Sequence, residues 1–258
     1  MSEKENALAE LAKQIPVKDI YTDLLHPALS EAGKGLQGVT RVALAPISGM
    51  VWCYDKITGY LDAAIPEYFA RRKIDKVKIQ SPDVAIAVPA IEALRYTEQK
   101  EELREMFVNL LGASMNSDTA ELVHPAFVEI IKQLSVDDAI CLSYLKGYRK
   151  ALIDFEVRVD TEYVMVGSNE VVIPEEFENN ITSHINNFIR LGIFEKVRTI
   201  RDSCSYEFEE VENKIKVLAV EDYIEETNKT QYEKITLNAE YYWLALTEFG
   251  DDFVSICC

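Results

Sequence analysis

Residues 96–145 read YTEQKEELREMFVNLLGASMNSDTAELVHPAFVEIIKQLSVDDAICLSYL, and the spacing of their apolar side chains decides the fold of the first half of the chain. Leu103, Met106, Phe107, Leu110 and Leu111 recur at i, i+3, i+4, i+7, the period of a helix with one buried face. Phe127, Ile130, Ile131 and Leu134 repeat the pattern. A third helix begins at Ser135, where Asp138 three residues on makes a Ser-x-x-Asp variant of the capping box. Asn116-Ser117-Asp118 reads as the connector between the first two. These three helices are expected to form a helical core, and none of them carries a catalytic constellation.

The same stretch carries a family likeness. Tyr96-Thr97, the run Glu102-Leu103-Arg104-Glu105-Met106-Phe107, Leu110-Leu111, His124-Pro125-Ala126-Phe127 and Ile130-Ile131-Lys132-Gln133-Leu134-Ser135 closely resemble the Abi-alpha family, bacterial proteins linked to abortive phage infection. In weaker form the likeness extends across most of the chain. It implies a role in phage defence and no particular mechanism. The motif residues Tyr96, Leu103, Phe107, Leu110, Leu111, His124, Pro125, Phe127, Ile131 and Leu134 are read as structural. His124 precedes a proline, which disfavours helical geometry at the histidine and suits the first helical position itself, so it is expected at a helix start.

Working outward, residues 3–25 read as short amphipathic helices interrupted at Pro16. Residues 28–70 are apolar and contain Gly33, Gly35, Gly38, Gly49 and Gly59, with no charge from Val42 to Tyr54. That run is shorter than the roughly 20 apolar residues that span a bilayer, and Pro46 interrupts it. A buried helical hairpin breaking near Pro46 is expected, with an interfacial helix as the alternative. The basic cluster Arg71, Arg72, Lys73, Lys76 and Lys78 follows, making residues 35–78 the candidate membrane or anion contact. Its other reading is the solvated end of a helix, with cations complementing the dipole. Residues 77–84 look extended up to a turn at Ser81-Pro82-Asp83, and Pro89 is expected to open a short helix.

After Lys150 the period changes to two. Ile153, Phe155, Val157 and Val159 alternate with charged residues, as in a half-buried strand. Residues 163–166 and 171–173 read as a hairpin with its turn at 167–170. Pro174 opens a helix with Phe177, Ile181, Ile185 and Phe188 inward, and Gly192 stops it. Residues 205–237 are acidic and ambiguous between helix and strand, while residues 241–250 resemble a returning wing strand and the start of a helix. The expected fold is therefore mainly α: a helical domain over 1–150, then an acidic α+β, winged-helix-like region over 151–258 that shares helix 136–149. Asn186, Asn187 and Arg190 form the candidate recognition-helix face.

Composition narrows the function. The formal net charge is −17, and residues 151–258 hold 23 Asp and Glu against 9 Lys and Arg. Such a half repels a phosphate backbone, so nucleic acid is not an expected partner and a protein partner is. Five cysteines without a Cys-x-x-Cys, and a start lacking an apolar segment, fit a reducing cytoplasm, and residues 35–78 add an expected peripheral contact to the inner membrane. The pair Cys257-Cys258 resembles prenylated tails, a modification not expected in a bacterial chain. There is no phosphate-binding Gly-x-x-x-x-Gly-Lys loop, no Gly-x-Ser-x-Gly elbow and no His/Cys ligand cluster. No cofactor, catalytic or metal residue is assigned. A non-enzymatic defence component fits best; a metal-dependent nuclease or hydrolase and a winged-helix regulator stand as alternatives.

Overall fold

The computed structural model describes residues 54–147, 149–161, 163–172, 180–200, 206–227, 229 and 231–258. The expected N-terminal helices, the hairpin break at Pro46 and the helix opening at Pro174 lie outside these residues. Two compact units are present. One holds the described residues up to Ala139 together with Asp252–Cys258, and the other is Ile140–Asp251.

In the first unit, α1 (Tyr54–Arg71), α2 (Val84–Leu94) and α4 (Ala126–Lys132) pack on α3 (Glu101–Ser114). Ten residues of α3 are buried, among them Leu103, Phe107, Leu110 and Leu111. Such a helix is held by packing on most of its sides rather than by one stripe. Gly112 permits the closest approach, because a Cβ there would lie 2.3 Å from Cδ1 of the Tyr68 ring. Asn109, also buried, ties the ends of two helices: its Nδ2 donates to the Cys257 carbonyl (3.1 Å) and its Oδ1 accepts from Arg71 Nη2 (3.1 Å).

Local signals set the helix starts. α5 (Val136–Leu145) begins with a reciprocal capping box, in which Asp138 N–H donates to Ser135 Oγ (2.9 Å) and Ser135 N–H to Asp138 Oδ2 (2.8 Å). Asp83 caps α2 by accepting from Ala85 N–H (2.8 Å). Pro89 sits inside α2 instead of opening it, since the Asp83 cap fixes an earlier start and the proline lacks only one helical donor. Before α2 the backbone makes a 3-10 turn at Lys76–Lys78 and one bridge, Ile79 to Asn116, where an extended segment was expected.

The second unit is a four-stranded antiparallel sheet of β1 (Lys150–Val159), β2 (Tyr163–Glu170), β3 (Phe194–Thr199) and β4 (Ile235–Leu246), in the order β2-β1-β4-β3. The sheet is larger than the hairpin expected. One face packs on α7 (Tyr206–Thr227), where Ile153, Phe155, Val157 and Val159 meet Phe208, Val211, Ile215 and Tyr223. Here α6 (Ile181–Arg190) packs on β2 and β3, burying Ile181, Ile185 and Phe188, and Gly192 ends it at φ +74°. The segment expected as the 167–170 turn is strand. The β1–β2 turn is at Asp160 (φ 54°), and the pairing shifts register between Ile153 and Phe155. Gly167 is there for close approach, since a Cβ would lie 2.5 Å from the Phe155 ring. Asn169, at φ 59°, donates its backbone N–H to Asp154 Oδ1 (2.9 Å). The last helix, α8 (Glu248–Cys257), follows β4 directly.

α8 buries Cys257, and this burial raises its thiol pKa well above the usual range. Cys141 is buried too, whereas Cys258 is partly exposed. Thiolate, the reactive form, is therefore scarce at Cys257 and inaccessible at Cys141. Iodoacetamide mapping at mildly alkaline pH, in a Cys53→Ser, Cys204→Ser background, is expected to modify Cys258 and spare the other two until denaturant is added. Rapid native labelling of Cys257 would contradict its placement.

Candidate functional site

The C-terminal end of α1 gathers the basic cluster. Arg72 N–H, Lys73 N–H and Ile74 N–H bond back to Tyr68, Ala70 and Phe69 carbonyls (3.1, 3.3 and 3.1 Å), and Lys73 takes the left-handed conformation at φ 54°. This is the Schellman ending usually made by glycine. Three of the five cations are engaged within the unit. Arg71 bonds Glu105 Oε1 (2.9 Å) as well as Asn109, the Arg72 guanidinium lies 4.9 Å from the Tyr68 ring centroid, and Lys78 pairs with Asp118 (2.5 Å). Lys73 and Lys76 project as exposed cations without a side-chain partner among the described residues. Between Lys76 and Lys78 stands Val77, which is 91% exposed at the crest of the 3-10 turn whose N-cap is Asp75. An apolar side chain held out among cations was not legible in the charge run alone.

Asn186, Asn187 and Arg190, the residues expected to form a recognition face, all lie on α6. Asn186 Oδ1 accepts from Asn169 Nδ2 (2.8 Å), and Asn187 Oδ1 accepts from Arg190 Nη2 (2.7 Å). Asn169 belongs to a network on the sheet face away from α7. Lys196 Nζ donates to Asn169 Oδ1 (2.9 Å) and Asp154 Oδ2 (2.5 Å), and lies 4.1 Å from the Tyr242 ring centroid. Asp154, Asn169 and Lys196 come from three strands, so only the sheet register brings them together. Asn186 joins this network through its amide oxygen, while Asn187 is bonded to Arg190 on its own helix.

Four of the family-motif residues, Leu103, Phe107, Leu110 and Leu111, lie on α3, and the others lie before or after it in the chain. Phe127 and Ile131 are buried, and Tyr96 is 63% exposed. His124 lies just before α4, where its Nδ1 accepts the Ala126 N–H (3.1 Å) beside Pro125. Leu103, Phe107, Ile131 and Leu134 have a second aspect: they wall a pocket of about 400 Å3 between α2, α3 and α4, with Tyr96, Lys100 and Lys132 around its opening.

Among the described residues no group of three or more His, Cys, Asp or Glu side chains is placed to hold a metal ion. Among them, too, no helix is long and apolar enough to cross a membrane. No curated protein and no solved structure matches the chain. A family model does, the one described as abortive infection alpha, over residues 61–257. That span takes in α2 to α8 and all four strands, so the match covers both units and not the central helices alone. The chain belongs to the abortive infection alpha family.

Proposed function

We propose that this protein is a non-enzymatic component of the abortive-infection response that acts at an anionic membrane surface through the end of α1. The observation carrying this is Val77, 91% exposed on a turn flanked by Lys73, Lys76 and Lys78. A basic side chain near an anionic leaflet contributes about 1 kcal/mol. Burial of a valine side chain adds ~1.5 kcal/mol. Lys73, Lys76 and Val77 together thus give a contact in the millimolar range, reversible and suited to regulation. Sedimentation with phosphatidylglycerol vesicles is expected to carry down the protein, and phosphatidylcholine vesicles are not. The triple change Lys73→Gln, Val77→Asp, Lys76→Gln leaves the engaged Arg71, Arg72 and Lys78 in place and is expected to abolish binding. In cells it should also abolish membrane association and depolarisation during phage challenge. Protection that persists without either would overturn the reading.

A second reading concerns Ile140–Asp251 as a degenerate winged helix that contacts protein. The strand order β1-β4-β3, with α5 ahead of it and α6 running into β3, supports this, β2 and α7 then being insertions. Charge and the engaged Asn186 and Asn187 argue against duplex DNA as its target. Submicromolar duplex affinity at physiological salt, lost on mutating Asn186, Asn187 and Arg190, would restore the regulator.

A further inference from the structure

We infer that the pocket between α2, α3 and α4 binds a small amphipathic carboxylate, an apolar chain or ring with one anionic end. Its walls are apolar: Ala93 of α2, Leu103 and Phe107 of α3, Ile131 of α4 and Leu134 just beyond it. These same side chains are only 0–7% exposed, so their packing is close elsewhere and the pocket is a feature left open within it. At about 400 Å3 it falls within the range of small-molecule sites, which combine apolar walls with a few polar groups.

The opening selects the ligand's end group. Lys100, which precedes α3, is exposed and without a side-chain partner among the described residues. Lys132 closes α4, and its ammonium also donates to Glu129 at 2.8 and 3.0 Å. Glu92 is the one carboxylate on the lining, against these two ammonium groups. Thr97, buried at the rim, donates its hydroxyl to the Leu94 carbonyl (2.9 Å), leaving its oxygen free only to accept. An anion is therefore met by the lysines and not by the threonine. Tyr96, 63% exposed, stands at the mouth as an aromatic surface over which an apolar chain can lie. At the ~30 Å3 that one water takes in the liquid, the volume admits about a dozen heavy atoms, the size of a ten-carbon fatty acid.

Decanoate is accordingly the probe, measured by calorimetry against full-length protein, with 1-decanol as its neutral counterpart. Saturable one-to-one binding is expected for decanoate, about tenfold tighter than for decanol. Lys100→Gln with Lys132→Gln should remove that difference, since both changes lie on the surface and leave the walls intact. Ala93→Met, which fills the pocket from α2, should abolish binding while leaving the cooperative melt in place. Absence of saturable decanoate binding to the wild type would overturn the inference. So would equal affinity for decanol, or binding that survives in Ala93→Met. Lys73, Lys76 and Val77 take no part in this site, so its failure and that of the membrane contact are separable.

Discussion

Gly250→Ala is expected to leave Ile140–Asp251 unfolded or trapped without its native tertiary structure. A Cβ at Gly250 would lie 1.9 Å from the Ile193 carbonyl oxygen, 2.7 Å from its carbon and 2.9 Å from its Cα. All three are backbone atoms, so no side-chain rotation relieves the clash. Nor can the two segments drift apart at little cost. Thr247 N–H donates to the Ile193 carbonyl (3.1 Å), and Thr247 Oγ1 donates to the Gly192 carbonyl (2.6 Å) while accepting from Gly250 N–H (2.8 Å). The first turn of α8 is thereby fastened to the turn that ends α6. Separating them breaks a helix cap, worth about 1 kcal/mol, and leaves buried polar groups unsatisfied at about 1–3 kcal/mol each. A domain has only about 5–15 kcal/mol in total. Urea unfolding followed by near-ultraviolet circular dichroism reads the result: loss of the tertiary signal at zero denaturant for Gly250→Ala. The control is Gly59→Ala, at an exposed position of α1 where nothing lies within 4 Å of the added methyl and stability should be unchanged or raised. An unaltered midpoint for Gly250→Ala would mean that α8 does not approach Ile193.

Features set by near neighbours in the chain were legible. The Ser135–Asp138 box lies within one turn, and the alternation of β1 follows directly from Ile153 to Val159. Gly192 stops α6 because a left-handed residue is needed there. What failed depended on partners distant in sequence. Gly167 and Asn169 look like a turn, yet one accommodates the Phe155 ring and the other bends a strand toward Asp154. α7 was ambiguous because its buried Phe208, Val211 and Ile215 are set among charges, and the face that buries them comes from β1 and β4, distant in sequence. The pocket was hidden for a related reason. Leu103, Phe107 and Ile131 read as core residues, and they are buried; that they also leave a space is a property of how three helices meet. The exposed Val77 lies in a stretch read as extended, and its exposure follows from the 3-10 turn that replaced that strand.

Phe127→Asp is expected to yield no soluble, cooperatively folded protein. The Phe127 side chain is fully buried and meets Phe253 of α8 edge to face, with centroids 5.3 Å apart. Removing a buried phenylalanine costs about 3–5 kcal/mol. A carboxylate in its place must either stay charged without a partner or take up a proton, and burial of such a polar group adds ~2 kcal/mol or more. The sum approaches the entire stability of an ordinary domain. Phe107→Asp should do the same from α3, where the ring is only 1% exposed. Phe127→Leu separates loss of packing from loss of fold: it should remain soluble and melt several degrees lower, since it sacrifices the edge-to-face pair and a few methylene equivalents of contact. The measurements are the soluble fraction after expression and the thermal transition by circular dichroism. Soluble Phe127→Asp with a sharp transition would place the ring at a surface, and with it would fall the packing of α8 on α4 that returns the end of the chain to the first unit.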